Sequence, residues 1–291
     1  MRCPTLRDLP PPPQGKTGWP WTDESSQLPD RMPDGSPWPR ISIVTPSLNQ
    51  DQFIEETIRS VLLQGYPNLE YIIIDGGSID SSMKVIREYQ LWLLYWQSEP
   101  DPGQSAAINK GFEVGRGDIL AWLNSDDVYL PQTCSIVARA FSESDRTVLV
   151  YGDCINIDEA GKAFSVSRSS DYDRDRLIQR WPNFIAQPTA FFSRSAFYDC
   201  GKLDSSLHYA MDYDLWIRLG TLGSAIYVPR ELAKFRVHQA SKTSAGSVSY
   251  WPEMRKVSLR NGGRFISPMY IKHVRDQLYC IRQKIKRSIF G

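Results

Sequence analysis

From Ile41 onward, short apolar runs alternate with segments whose apolar residues recur at helical spacing. Ile41-Ser42-Ile43-Val44-Thr45 predicts a strand. Phe53 to Gln64 then predicts a helix, with Phe53, Thr57/Ile58 and Val61/Leu62 on one face and Gly65-Tyr66-Pro67 ending it. Tyr71-Ile72-Ile73-Ile74 predicts a second strand, apolar at every position, and a helix follows from about Asp80. A strand near Leu93 to Trp96, a helix from Gln104 to about Val114 and a strand over Asp118 to Leu123 continue the pattern. Strands that are apolar throughout and alternate with helices predict an α/β fold, with a mostly parallel central sheet covered on both faces.

Open sheets of this kind bind ligands at the carboxyl edge of their strands. Three loops reach that edge with polar groups: Thr45-Pro46-Ser47, Asp75-Gly76-Gly77-Ser78 and Asn124-Ser125-Asp126-Asp127. Two adjacent carboxylates repel each other, and a cation between them removes the repulsion. Oxygen ligands at a strand end suit Mg²⁺ or Mn²⁺, which also hold substrate phosphates; a surface turn before Pro131 is the plainer reading. In the Asp75 loop, two glycines allow close backbone approach. Ser78 can cap the next helix, and Asp75 can accept an N–H from a base edge. An ordinary strand-to-helix turn has the same composition. No Gly-x-Gly-x-x-Gly follows either early strand, which argues against a nicotinamide dehydrogenase, and no Gly-x-Ser-x-Gly marks a hydrolase.

Tyr209 to Arg218 predicts a helix that opens with acids and buries Leu215, Trp216 and Leu219. Asp212 and Asp214 either complement the helix dipole or place a general base at a cleft. His238, closing Phe235-Arg236-Val237-His238, fits a hydrogen-bonded structural role better than a ligand role.

Composition narrows the classes. At 291 residues, 41% hydrophobic and 23% charged, the chain has ample core for one large domain or two small ones. A net charge of +1 argues against nucleic-acid binding. Cys3, Cys134, Cys154, Cys200 and Cys280 are scattered, without a Cys-x-x-Cys pair, as in a reducing, cytoplasmic compartment. With no apolar leader and no long apolar stretch, neither secretion nor a spanning helix is expected. Half of the 20 prolines precede Arg40, so residues 1–39 are expected to form an extended arm; Trp19, Trp21 and Trp38 suggest that it lies across the domain.

Taken together, Val44-Thr45-Pro46-Ser47, Asp75-Gly76-Gly77-Ser78, Asn109-x-Gly111, Asn124-Ser125-Asp126-Asp127, Met211-Asp212-Tyr213-Asp214-Leu215-Trp216 and Arg236-x-His238 resemble family 2 glycosyltransferases of the GT-A fold. Six weak motifs in order are specific. Ser98-Glu99-Pro100-Asp101 and Gly103-Gln104-Ser105 resemble the bacterial polysaccharide-assembly subgroup. The resemblance implies a catalytic domain over 40–243 that transfers a sugar, with inversion, from a nucleotide diphosphate donor (UDP-linked) to a glycan or lipid-linked hydroxyl. It implies that Asp75 holds the nucleobase, within a donor set of Thr45, Pro46, Ser47, Gly76, Gln104, Asn109, Asn124, Ser125 and Asp126. Asp127 and Asp126 would hold Mg²⁺ or Mn²⁺, Asp127 more directly, with His238 beside the metal or diphosphate. Asp212 would be the base. The sequence departs from the family where Leu48 replaces an aromatic residue, Met211 and Asn124 replace acids, and Ile79 replaces threonine.

Two other activities fit an α/β fold: a catalytically silent sugar-nucleotide binder, which retention of Asp212 argues against, and a sugar nucleotidyltransferase, whose early glycine- and basic-rich phosphate loop is missing. Residues 244–291 are expected to form a basic helical extension ending in Tyr270 to Phe290. Lys272, Arg275, Arg282, Lys284, Lys286 and Arg287 face a single acid there, Asp276. Such a helix either packs back on the domain or lies on the anionic inner face of a membrane as a peripheral contact.

Overall fold

The computed structural model describes residues 1–180, 183–239, 241–242, 250–268, 270–272 and 274–275. Strands β1 (Ile41–Ser47), β2 (Leu69–Asp75), β3 (Tyr95–Ser98) and β4 (Ile119–Trp122) lie parallel in the order β3-β2-β1-β4. Helices α1 (Ile54–Leu62), α2 (Ser82–Glu88) and α3 (Gln104–Val114) alternate with them. The two-sided apolar strands separate by period two. Ile43, Tyr71 and Ile73 face one core and Val44, Ile72 and Ile74 the other. Gly111 lets α3 press onto β1, because a Cβ there would come within 2.5 Å of Val44 Cγ1.

The second half of the sheet is mixed. It is built from β5 (Val128–Tyr129), β6 (Thr147–Ile157), β7 (Ala163–Ser167), β8 (Phe191–Ser193) and β9 (Ser224–Arg236). β8 joins β4 antiparallel, β6 joins β8 antiparallel, and β6 and β9 run parallel with register shifts. Short antiparallel pairings thus join a sheet whose longer registers are parallel; β7 turns straight back on β6, a reversal too short for the crossover that parallel pairing needs. Among the described residues, α4 (Thr133–Phe141), α5 (Arg174–Gln179), α6 (Arg194–Asp199), α7 (Met211–Leu219) and α8 (Tyr250–Arg260) complete the helices. No described helix is long and apolar enough to cross a membrane. The expected helix from Tyr270 to Phe290 lies largely outside the described residues.

Residues 1–39 wrap the face made by α1 and α4, burying Cys3, Leu9, Trp21, Met32 and Trp38. Ser25 and Leu28 donate backbone N–H bonds to Leu63 and Gly65. Gly65 (φ +64°) has no space for a Cβ, which would sit 2.3 Å from the Ser26 carbonyl. The fully buried Arg59 donates to the carbonyls of Pro10 (2.8 Å), Pro20 (3.1 Å) and Trp21 (3.1 Å). An Arg59→Leu substitution strands two buried carbonyls and a half-buried one and is expected to cost about 3 kcal/mol. Denaturant unfolding, with faster proteolysis of the arm, checks this.

Candidate functional site

The loops after β1 and β2 are stitched together before any ligand arrives. Asn49 and Gln50 donate N–H bonds to Ser78 Oγ (2.7 Å) and Ser82 Oγ (3.0 Å), and Ile79 N–H returns one to Asn49 Oδ1 (3.0 Å). Asp75 ends β2 with its carboxylate turned inward. Oδ2 accepts from Gly77 N–H (3.1 Å), Ser78 N–H (2.8 Å) and Ser98 Oγ (2.7 Å), while Oδ1 accepts from Ser78 Oγ (2.5 Å). Asp75 therefore shapes the loop. The carboxylate that reaches the open space beside Leu48 is Asp101, whose Oδ2 lies against Gly76.

The two acids after β4 have separate surroundings. Asp127 is fully buried; Oδ1 accepts Arg236 N–H (3.0 Å) and Oδ2 accepts Asn124 Nδ2 (3.2 Å). Burial foremost, and then the charge of Asp126, push its carboxyl well above the usual range. Asp126 faces the cleft and meets His238 Nε2 at 3.0 Å. Arg236, at the end of β9, locks this turn by donating Nε to the Asp126 carbonyl (2.9 Å) and pairing with Glu56 (2.8 Å). Of the pair, Asp126 lines the cleft, while Asp127, expected to be the more direct metal ligand, is turned inward behind it.

Two lobes form one cleft at the carboxyl edge. The first, about 360 Å³, is bordered by Pro46, Ser47, Ser125 and Asp126; the second, about 330 Å³, by Asn156, Gln187, Tyr209 and Asp212. Gln104, Asn124, Phe235 and Lys242 line both. An amide relay forms the divide: Lys242 Nζ donates to Gln104 Oε1 (3.0 Å), Gln104 Nε2 to Asn124 Oδ1 (2.7 Å), and Asn124 Nδ2 to Gln187 Oε1 (3.0 Å). Ser47 Oγ, buried in the first lobe's wall, has no hydrogen-bond partner among the described residues. Such a hydroxyl costs about 1–3 kcal/mol unless a ligand satisfies it.

Asp212 and Asp214, indistinguishable in sequence, part company on α7. Asp214 is buried between Arg218 (Nε to Oδ2, 2.8 Å) and Arg260 and serves structure. Asp212 is the only carboxylate among the described residues lining the second lobe, and burial raises its pKa to about 6. Trp216, as expected, is core, stacked on Trp122 at 5.6 Å. The approach to α7 is held by Glu253 of α8, whose carboxylate accepts N–H bonds from His208 (3.0 Å), Tyr209 (2.7 Å) and Ala210 (3.0 Å). Burial raises the Glu253 carboxyl, but these bonds outweigh it and leave the pKa lowered. Glu253→Ala should loosen this loop and lower kcat about 10–100-fold with donor KM unchanged, as steady-state kinetics would show.

Of the residues expected around a donor, Pro46, Ser47, Gln104, Asn124, Ser125 and Asp126 line the first lobe. Thr45 does not; its hydroxyl lies 3.0 Å from Tyr71 OH in the core. Asn109 is also diverted, giving Nδ2 to the Leu203 carbonyl (3.0 Å) and accepting Leu203 N–H at 3.2 Å. Sequence reading missed Gln187, Lys242 and Glu253, and it gave Asp101 no role. Lys242, four residues beyond His238, was the one with a positional signal. No group of three or more His, Cys, Asp or Glu residues among those described forms a complete metal cage.

A family model described as Glycosyl transferase family 2 matches residues 42–201, a span that ends before Asp212. An uncharacterized glycosyltransferase of Rickettsia typhi is 30% identical over 212 residues, covering 71% of this chain and 66% of its own length. This chain therefore spans just under two-thirds of that relative. One from Mycobacterium tuberculosis is 25% identical over 266 residues, covering 87% of this chain and 97% of its own. Among solved structures, S. aureus TarS in complex with UDP-GlcNAc superposes with TM-score 0.63 at 14% identity, over 79% of this chain and 69% of that one. The mannosyltransferase PcManGT from Pyrobaculum calidifontis, in complex with GDP-Man and Mn²⁺, gives 0.58 at 17% identity over 89% and 73%. At these identities the likeness concerns the fold.

Proposed function

The chain belongs to glycosyl transferase family 2, and from that premise we propose that it moves a sugar, with inversion, from a nucleotide diphosphate sugar to a hydroxyl of a glycan or lipid-linked acceptor. The observation that carries this reading is the isolation of Asp212. It stands in one lobe, across the amide relay from Asp126 in the other. The donor then occupies the Ser47–Asp126 lobe and the acceptor the Tyr209–Asp212 lobe. The unpartnered Ser47 hydroxyl supports a ligand there. TarS and the mannosyltransferase, bound to UDP-GlcNAc and GDP-Man, lend support for the donor class. We favour a UDP-linked donor.

Asp126 and His238 would hold a divalent ion. One carboxylate lining the lobe and one imidazole 3.0 Å from it, in the neighbouring hollow beside Gln50 and Phe53, suit Mg²⁺ or Mn²⁺ when diphosphate oxygens and water complete the shell. The Mn²⁺ in the mannosyltransferase complex supports this choice. When bound, the ion neutralises charge on the diphosphate. Arg236 and Asp127 keep Asp126 in place, and Glu253 fixes the loop before α7. Asp212 accepts the proton of the acceptor hydroxyl as its oxygen attacks the anomeric carbon. With its pKa near 6, Asp212 is charged at neutral pH yet basic enough to take that proton.

A screen of UDP- and GDP-sugars against saccharide acceptors, with and without Mn²⁺, tests the reading. Nucleoside diphosphate release that needs both acceptor and Mn²⁺ supports it. Donor binding without turnover points to a silent binder, and pyrophosphate release from a nucleoside triphosphate and sugar phosphate to a nucleotidyltransferase.

A further inference from the structure

Lys242 stands where the two lobes meet, lining both. Its ammonium is fixed by the donation to Gln104 Oε1 at 3.0 Å, and Gln104 is tied through Asn124 to Asp127. On the acceptor side the ammonium lies 5.7 Å from the centre of the Tyr209 ring. Burial lowers its pKa, and the charges of Glu253 and Asp212 oppose that shift.

The charge balance of the donor lobe is one-sided. Among the described residues lining it, Asp101 and Asp126 are acids and Lys242 is the only base. A nucleoside diphosphate adds further negative charge to this partly desolvated space, where attraction to a cation is several times stronger than in water. At the boundary between lobes, where the bond to the sugar must break, Lys242 is the one positively charged side chain of the described lining; Ser47 and the other hydroxyls and amides there are neutral. Without a bound ion Asp126 repels the phosphate, and the amides of Gln104 and Asn124 are engaged in the relay, Gln104 with Asn124 and Asn124 with Gln187 and Asp127.

Building on the reading above, we propose that Lys242 is the leaving-group residue, its ammonium contacting the phosphate that bears the sugar. As the acceptor oxygen bonds to the anomeric carbon, its proton passes to Asp212. The bond from the anomeric carbon to the diphosphate oxygen breaks, and its electron pair stays on that oxygen. The ammonium stabilises this growing charge without giving up a proton.

Calorimetric titration of UDP, UMP, GDP and GMP, each with Mn²⁺, into wild type, Lys242→Met and Lys242→Arg tests the assignment. Expected is a drop of about tenfold in diphosphate affinity for Lys242→Met, with monophosphate affinity unchanged and most of the loss restored in Lys242→Arg. Unchanged diphosphate affinity in a folded Lys242→Met protein overturns the proposal, as does an equal loss for mono- and diphosphates. If wild type binds none of the four nucleotides, the functional reading fails and this assignment with it.

Discussion

In an Asp212→Asn variant, kcat falls by about 10²–10⁴-fold while donor affinity holds, because the amide keeps the shape of the side chain but cannot take the acceptor's proton. The pH dependence carries the same signature. As the proposed base, Asp212 must be ionised to act, and burial raises its pKa from 3.8 to about 6. Wild-type kcat/KM therefore falls about tenfold per unit as pH drops below that value, and the residual activity of the variant has no such limb. Stability moves the opposite way. Between the unfolded pKa and the raised folded one, the folded state binds more protons, so this group's contribution to stability declines as pH rises through that window. An asparagine, always neutral, avoids that loss. The variant should unfold at or above the wild-type temperature, which separates a chemical defect from a structural one.

Asp126→Ala is the second large loss. It removes the only acid of the Asp126–Asp127 pair that faces the first lobe, and with it one of the two side chains proposed to hold a divalent ion. An ion that neutralises a departing diphosphate contributes several kcal/mol, so a loss of about 10²–10³-fold in turnover is expected. Chelation should impose a similar loss on wild type, reversed by Mn²⁺ or Mg²⁺, and should leave the variant little changed. Asp127→Asn is expected to behave differently. Its amide would point an N–H at Arg236 N–H or Asn124 Nδ2, both donors, so misplacement of the whole turn precedes any effect on metal.

The parallel half of the sheet was legible because burial on both faces leaves unbroken apolar runs. Helix α3, expected from Gln104 to about Val114, runs over Gln104–Val114. The mixed half was not legible. The exposure of β9 follows no alternation, and its pairing with β6 shifts register three times. At the site, the sequence marked the right loops without saying which way their side chains turn. Asp127 is claimed by an N–H from Arg236, 109 residues on, and Asn109 by Leu203, 94 residues on. Asp75 was drawn inward by Ser98, across the sheet on β3. Likewise Asp212 and Asp214 both open α7, and it is Arg218, one turn on, together with Arg260, reaching from α8, that claims Asp214 for structure. Roles fixed by such distant partners cannot be read from local spacing.

The most direct test gives wild type and Asp212→Asn the same UDP-sugar, Mn²⁺ and saccharide acceptors, and follows donor affinity and nucleoside diphosphate release in one set of samples. Wild type should bind and release, and the variant should bind equally well and release about 10²–10⁴-fold more slowly. Release undiminished in the variant, or donor binding lost together with turnover, would contradict the assignment of Asp212 as the base of a sugar transfer.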